Sequence, residues 1–482
     1  MSLTQSVANA LSGLTAASRM AQTVSANLAN ALTDGYGRRV VDLSAQVNGL
    51  AGAGVRVDGI TRIIDRAILA DRRDAESQHQ GSSLTATALL RVERAMGDAD
   101  AGTSLAAQVT ALQAALAAAG ADPSSDIALA RVLDRLAGLA GGLRHASDAV
   151  QAERLDADRS IAADVDLLNR SLRALERVND DIVTARITGN DPSGLMDQRQ
   201  TLIDTIARIV PVREMARPDG RVALVTPGGE MLIDGRARQY EFAAAGVVTA
   251  DMTLASGGLS GLMRDGQPVS GPAGTGWLDG GTLGAAFRLR DDILPAQSDA
   301  LDRLAADLIA RFASPAADPT LGAADPGLFT DAGAAFDPLA AAGLAGRIAV
   351  NATVDPARGG ALWHLRDGIG AAAPGPVGAA GQLARWADAL DTTSTSGPGS
   401  AAGSFGDHAA RLSASAANAR LMADEAQARS GARWRALREA ELATGVDSDH
   451  ELQMLLDIER AYAANARTLA TIDAMFRTLL EI

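Results

Sequence analysis

Apolar residues recur every three and four positions along the start of the chain. Val7, Leu14, Ala21 and Leu28 share one heptad position, and Leu3, Ala10, Ala17 and Val24 share the other. This is the pattern of a helix whose buried seam winds as in a left-handed coiled coil. Thr33-Asp34-Gly35 closes it, because glycine accepts the left-handed backbone that ends helices. The end of the chain repeats the pattern. Gly445-Val446-Asp447 reads as a loop, and Ser448 with Glu451 as a capping box. The seam that follows is Leu455, Ile458, Tyr462, Asn465, Leu469, Ile472, Phe476 and Leu479, uninterrupted by glycine or proline.

Between these ends the period changes. Residues from about Ile127 to Ile187 are helical, with Leu168, Leu172, Leu175 and Ile182 on one stripe. Gly189-Asn190-Asp191-Pro192 breaks the helix, and another runs from about Leu195 to Ile209. Short β runs follow: Val222–Val225, the turn Pro227-Gly228-Gly229, and Met231–Ile233 before Asp234-Gly235 predict a hairpin. Helix returns over Leu283–Phe312 and from about Ala409 to Leu442, and Thr392–Gly403 reads as a low-complexity linker or loop.

The 482 residues include only 3% aromatics, and much of the 47% apolar fraction is alanine, which favours thin, closely packed helical layers. The net charge of −14 argues against a nucleic-acid-binding surface. All 44 basic side chains are arginine, so lysine-dependent nucleotide hydrolysis and Schiff-base chemistry are excluded. Without cysteine there is no disulfide, thiolate nucleophile or cysteine metal site. The first basic residue is Arg19, no dense apolar run precedes it, and the alanine-rich stretch Ala106–Ala121 is too weak to span a bilayer. The expectation is a soluble chain without a cleaved signal peptide or membrane insertion.

Candidate chemistry is sparse. His79, His145, His364, His408 and His450 are scattered without metal-ligand spacing. Asp98/Asp100, Asp164/Asp166 and Asp447/Asp449 lack the further oxygens of a calcium loop. Gly271-Pro272-Ala273-Gly274-Thr275-Gly276 precedes Trp277 and a turn, not a helix, and makes a weak phosphate cradle. No Gly-x-Ser-x-Gly elbow occurs. The residues predict no catalytic site, cofactor or metal. They do predict two narrow seams at opposite chain ends, suited to burial against one or two other helices. Asn465 sits at a core position, where asparagine often fixes register or partner, and Asn27 and Asn30 lie near the end of the first helix. The asparagines near the first helix's end read equally as caps or as hydrogen-bonding groups between copies.

These terminal residues also carry a resemblance. Ala10-Leu11-Ser12-Gly13-Leu14, Ser25-Ala26-Asn27-Leu28-Ala29-Asn30 and Thr33-Asp34-Gly35-Tyr36 resemble the N-terminal signature of bacterial flagellar axial proteins (rod, hook and hook-associated). Gly445-Val446-Asp447, Arg460-Ala461-Tyr462 and Ala464-Asn465-Ala466 resemble the C-terminal one. Leu195-Met196-Asp197-Gln198-Arg199 leading into Leu202-Ile203 is similar to a helix of the hook–filament junction group. So are the β segment from Asp219-Gly220 through Gly228 to Asp234-Gly235, the return Gly280-Gly281-Thr282-Leu283-Gly284, and Ala474-Met475-Phe476 before Leu479.

The resemblance implies a fold that is mainly α with a smaller β insert. Paired terminal coiled-coil helices (1–48 with 443–482) would carry a discontinuous helical domain (49–211 with 281–313 and 404–442). A β-rich insert (212–280) and an Ala/Gly/Pro-rich outer or variable region (314–403) would complete it. It implies a non-enzymatic structural protein joining hook to filament, exported by a type III route and assembled outside the cell as a ring or tube of copies. Its partners would be the hook protein, a second junction protein and a cytoplasmic export chaperone. The expected assembly residues are Leu3, Val7, Leu14, Leu28, Asn27, Asn30, Leu455, Ile458, Tyr462, Asn465, Leu469, Ile472, Phe476 and Leu479. A hook or rod protein is the nearest alternative, and a secreted enzyme or glycan-binding protein using the central β region is the alternative from another class. On physical grounds, two seams too narrow to be buried by one copy predict ends that order on assembly.

Overall fold

The structure is a computed structural model that describes residues 3–48, 51–97, 101–269, 280–322, 324–398 and 401–480. The acidic pair Asp98/Asp100 and the glycine-rich run before Trp277 lie outside the described residues.

In chain order the helix α1 (Leu3–Ala29) leads to a hairpin of β1 (Arg38–Asn48) and β2 (Ala51–Ile63), then α2 (Arg66–Ala95), α3 (Leu105–Ala121), α4 (Asp126–Ile187) and α5 (Ser193–Ile209). The strands β3 (Arg213–Ala216), β4 (Val222–Val225), β5 (Met231–Asp234) and β6 (Arg236–Ala237) form one antiparallel sheet. A second sheet holds β7 (Tyr240–Glu241), β8 (Met263–Arg264) and β9 (Gln267–Pro268). Next come α6 (Gly281–Arg288), α7 (Leu294–Phe312), β10 (Phe329–Asp331), α8 (Leu344–Arg347), β11 (Ile348–Val350), α9 (Trp363–Asp367) and α10 (Gly381–Asp391). The long helices α11 (Phe405–Ala443) and α12 (Ser448–Leu480) finish the described chain. The fold is mainly α with a smaller β content, as the hydrophobic periodicity predicts.

The chain divides into two compact units. One comprises Met1–His79, Asp166–Gln239 and Ser430–Ile482; the other comprises Gln80–Val165 and Tyr240–Arg429. The divisions fall inside α2, α4 and α11, so each of these helices contributes to both units.

In the first unit α1 packs along α12 and against the β1–β2 hairpin. The hairpin is absent from the helix and strand expectations above. Its ladder runs from Arg38 opposite Ile63 to Asn48 opposite Ala51, but it shifts register at Asp42/Leu43 and again at Ala45/Val47, each time with the extra residue on β2. β1 keeps a strict apolar–polar alternation from Val41 to Asn48, the period-2 signal of a strand. Gly35 does adopt the left-handed backbone (φ +79°), but in the turn leading to β1 and not at the end of α1 itself. The predicted β4–β5 hairpin is present, and the buried Asn179 of α4 brackets its edge. The Asn179 amide donates to the Val222 carbonyl (3.0 Å), and the Val222 amide donates to Asn179 Oδ1 (3.2 Å).

The second unit has a large apolar interior that draws on α2, α3, α4, α7, α10 and α11. The alanine- and glycine-rich stretch after α7 supplies some of its largest groups. Phe312 stacks on Trp386 (5.4 Å between ring centres) and meets Phe329 edge-on (5.3 Å), while Trp386 Nε1 donates to the Leu365 carbonyl (3.0 Å). The segment around Thr392–Gly403, expected as a linker or loop, is a loop fastened at both ends. Ser394 and Gly403 bridge each other, Arg311 donates to the carbonyls of Ala389, Thr392 and Gly403, and buried His408 bonds the Ser394 carbonyl. Low-complexity composition hid this, because the fastening groups lie elsewhere in the sequence.

Candidate assembly site

The candidate site is the terminal helix pair of the first unit and the polar groups at its base. Two contacts define the pairing as antiparallel: Asn27 meets Glu451, and Gly13 lies against Asn465. Between them Ala17, Val24 and Ile458 form a small apolar centre, with Met20, Ala21, Met454 and Leu455 packed on it. The two seams thus lie against each other, while Tyr462, Phe476 and Leu479 of α12 stay exposed. The physical reason is simple: the ends already share one chain, so their pairing costs less entropy than recruiting another copy.

At the base, an asparagine and two carboxylates organise the chain. The amide of Asn27, 1% exposed, has four hydrogen-bonding positions, and all are taken. Nδ2 donates to the Arg39 carbonyl (2.9 Å) and to Glu451 Oε2 (3.1 Å). Oδ1 accepts from the Tyr36 hydroxyl (2.9 Å) and the Arg39 amide (2.9 Å). Nothing on this side chain is left for a neighbouring copy, which corrects the intersubunit reading of Asn27. Asn30 bonds locally, donating to the Ala26 carbonyl (2.9 Å) and accepting from the Thr33 hydroxyl (3.3 Å).

Glu451 is wholly buried, and its other oxygen accepts from Arg38 Nε at 2.7 Å. The capping-box reading fails here. Asp447 caps α12, its Oδ1 accepting from the amides of Asp449 (2.9 Å) and His450 (3.2 Å), so the Glu451 carboxylate is free to reach across to α1 and β1. Asp197 of α5 plays the matching part on the other side of the hairpin. It accepts from the Gly37 amide (3.0 Å), Arg62 Nε (2.7 Å) and Arg39 Nη2 (2.6 Å). Arg62 also donates to the Gly35 carbonyl (3.0 Å) and to Gln200. Burial raises the Tyr36 phenol above its usual range; Arg39 opposes this, while Asp197 and Glu451 add to it, so the hydroxyl stays a donor toward Asn27.

A second ionic cluster lies along α2. Buried Arg72 pairs with Glu76 (2.5 Å), Asp204 (2.7 Å) and Glu441 (3.0 Å), and Arg73 with Asp204 (2.6 Å) and Glu214 (3.0 Å). Burial works against the Arg72 charge, but Asp204, Glu441 and Glu76 outweigh it and hold its pKa above the ordinary arginine value. These charge-assisted bonds tie α2, α5, β3 and α11 together within the unit.

The expected assembly residues separate by position. Asn27, Ile458 and Ile472 are buried, and Leu3, Val7, Leu14, Leu28, Asn30, Leu455, Asn465 and Leu469 are half-buried. Tyr462 (48% exposed), Phe476 and Leu479 (59% exposed) face solvent, as do Leu452, Leu456, Met475 and Leu480 on α12 and Leu11 on α1. Exposed apolar side chains thus lie both on the seam of α12, at Tyr462, Phe476 and Leu479, and off it, at Leu452 and Leu456. Periodicity missed Tyr36, Arg38, Arg39, Arg62, Asp197, Gln200 and Glu451 as site residues. A signal existed for one: continuing the α12 seam back one step from Leu455 lands on Glu451, a charge where an apolar residue belongs. Among the described residues no cluster of histidine, aspartate or glutamate is arranged to hold a metal ion, and no helix is long and apolar enough to cross a membrane.

Comparison with known proteins bears on the same segments. Residues 89–317 match the family model for the flagellar hook-associated protein FlgK helical domain, and residues 442–482 match that for the flagellar basal body rod FlgEFG protein C-terminal region. Over these segments this chain is similar to the flagellar hook-associated proteins. It is 27% identical over 315 residues to flagellar hook-associated protein 1 of Escherichia coli K12, covering 62% of this chain and 54% of that one. It is 28% identical over 237 residues to the Salmonella typhimurium protein of the same name, covering 47% and 42%. The chain thus spans about half the length of these curated relatives. The flagellar hook junction protein FlgK from Burkholderia pseudomallei matches with 18% identity and a TM-score of 0.44, over 54% of this chain and 46% of that one. The polar base draws on both matched segments, Asp197 from the first and Glu451 from the second.

Proposed function

We propose that this chain is a structural subunit at the junction of the flagellar hook and filament, built into a tube wall through its α1–α12 pair. The observation that carries this reading is the pair itself: clamped at one end by Glu451, it leaves Leu452, Leu456, Met475, Phe476 and Leu479 exposed, the last two where the α12 seam runs past the start of α1. Exposed apolar side chains of this kind gain by burial against a neighbour, at roughly 25 cal/mol per Å² of apolar surface. Repetition of one heterologous contact around an axis makes a ring or helical layer. The role is mechanical, with no catalytic step. The partners are copies of the chain, the hook protein on one side and a second junction protein on the other, with an export chaperone holding α12 beforehand. The working location is outside the cell, reached by type III export.

Removal of residues 445–482, followed in flagellated cells that lack their own copy, tests the proposal. Cells carrying the truncated chain should shed unattached filament protein, while full-length chain restores attached filaments. Attached filaments without these residues would overturn the assignment.

A further inference from the structure

We infer that the cavity between the start of α2 and the strand β3 receives the Asp449–Glu459 face of α12 from a second copy of this chain. The contact names a partner surface for the function proposed above, and rests on that reading for the setting in which copies meet. The receiving side holds about 320 Å³. Ile64, Leu69 and Val212 give it apolar walls, and Arg66, Arg73 and Arg213 give it charge. Arg73 is satisfied within the chain, by Asp204 (2.6 Å) and Glu214 (3.0 Å). Arg66 and Arg213 are exposed, and neither has an ion-pair or hydrogen-bond partner among the described residues. Arg66 opens α2, where the helix dipole disfavours a cation and no acid stands in the first turn. Asp65 beside it caps the helix, accepting from the amides of Ala67 (2.9 Å) and Ile68 (3.1 Å), and makes no ion pair with it. Like charge is also near: burial lowers the Arg199 pKa, Glu214 opposes this, and Arg186, Arg62 and Arg66 add to it. Arg213 stands on the edge strand of its sheet, all four residues of which are exposed.

The chain itself carries a surface of the opposite character. Asp449, Leu452, Leu456 and Glu459 follow one another at helical spacing, which places them on one face of α12. All four are exposed, Leu452 by 46% and Leu456 by 54%. Neither leucine lies on the seam toward α1, so the helix pair does not account for them. The side chains of Asp449 and Glu459 have no partner among the described residues, and neighbouring Arg460 is already matched by Asp457 (3.3 Å). Two leucines flanked by two unpaired carboxylates thus complement an apolar cavity flanked by two unpaired arginines. Arginine suits this role, since its planar fork matches a carboxylate. The two surfaces are different parts of the chain, so the contact is heterologous. Each copy lends α12 to one neighbour and its cavity to another, the arrangement that propagates around an axis.

Sedimentation equilibrium of the purified full-length chain at low ionic strength tests the contact. The unaltered chain should self-associate, and added salt should weaken the association. Arg66→Glu with Arg213→Glu, or Asp449→Arg with Glu459→Arg, should each weaken it about tenfold or more, because both surfaces then carry one sign. Mixing the two charge-swapped variants sets opposite charges against each other in both kinds of mixed contact. The mixture should recover association to within about threefold of the unaltered chain. All four side chains are exposed, so each variant should keep its unfolding midpoint within about 3 °C. Leu452→Ser with Leu456→Ser, which leaves the charges in place, should weaken association while keeping its salt dependence. A chain that stays monomeric at about 1 mM, a swapped variant that associates as the unaltered chain does, or a mixture no better than its parts would each sink the inference. None of these measurements reads filament attachment, so this contact and the functional proposal fail separately.

Discussion

The terminal helix pair and the aromatic interior around Trp386 are held by different forces. The pair has a thin apolar centre of Ala17, Val24 and Ile458, and the buried polar groups of Asn27 and Glu451 complete it. The Trp386 region buries a stack of rings and many leucines from several helices. An alanine seam removes little apolar surface from water, at about 0.8 kcal/mol per CH₂ group. It therefore leaves orientation to hydrogen bonds. Where large side chains interlock, shape alone selects the packing. A narrow seam gains from directed polar contacts what a thick core gains from volume.

The largest expected effect tests the thick core. Trp386→Ala removes a fully buried ring and its hydrogen bond to Leu365, and should cost about 4 kcal/mol in a denaturant titration. The loss should fall on the second unit, while amide protection of α1 and α12 is unchanged.

Next comes the polar base. Glu451→Ala strips Arg38 of its partner and leaves the Asn27 amide short of an acceptor, at a cost of about 3 kcal/mol. Hydrogen exchange should quicken along α1, β1 and α12 together, with amide protection around Trp386 unaltered. A change confined to α12 would show that the network does not couple these elements.

A smaller, pH-dependent effect belongs to Asp164. Burial pushes its carboxyl above the ordinary value of 3.8, against the hydrogen bond from Thr282 (2.6 Å). An acid whose folded pKa is raised costs nothing below its unfolded pKa. It destabilises the fold as pH climbs through the raised value, because the folded state must then bury the charge. Asp164→Asn keeps an acceptor for Thr282 and should stabilise the protein at neutral pH, with no gain at pH values below 3.8. Equal gains at both ends of the range would contradict the burial account.

Smallest of all, Leu479→Ser should shift monomer stability by less than about 0.5 kcal/mol, because its side chain is already exposed. Under the proposed function the same change should weaken filament attachment. This separates surface kept for a neighbour from surface that holds the monomer.

Much of this architecture was legible beforehand. The terminal seams, the helix from about Ile127 to Ile187, the helix before Ile209 and the β4–β5 hairpin all follow from spacing within a short window. The first strand of the bulged hairpin Arg38–Ile63 also carries a signal, the alternation from Val41 to Asn48, whereas the two register shifts interrupt the alternation of its partner strand. Asp197 was visible only as part of a familiar motif; its partners Arg39 and Arg62 lie more than a hundred residues away. Glu451 looked like a cap because a carboxylate three residues after a serine serves that role locally in many helices.

The chain's own spacing therefore determined which stretches coil, where two slender apolar edges lie, and which chemistries lack their residues. Only the folded arrangement decided which residues of those edges meet, that Asp447 caps α12 in place of Ser448, and that Asn27 and Glu451, 424 residues apart, share a hydrogen bond. The reason is one of range. Helical and strand periods are imposed by neighbours along the backbone, whereas the partner of a buried charge is chosen by whatever the completed fold brings within about 3 Å of it.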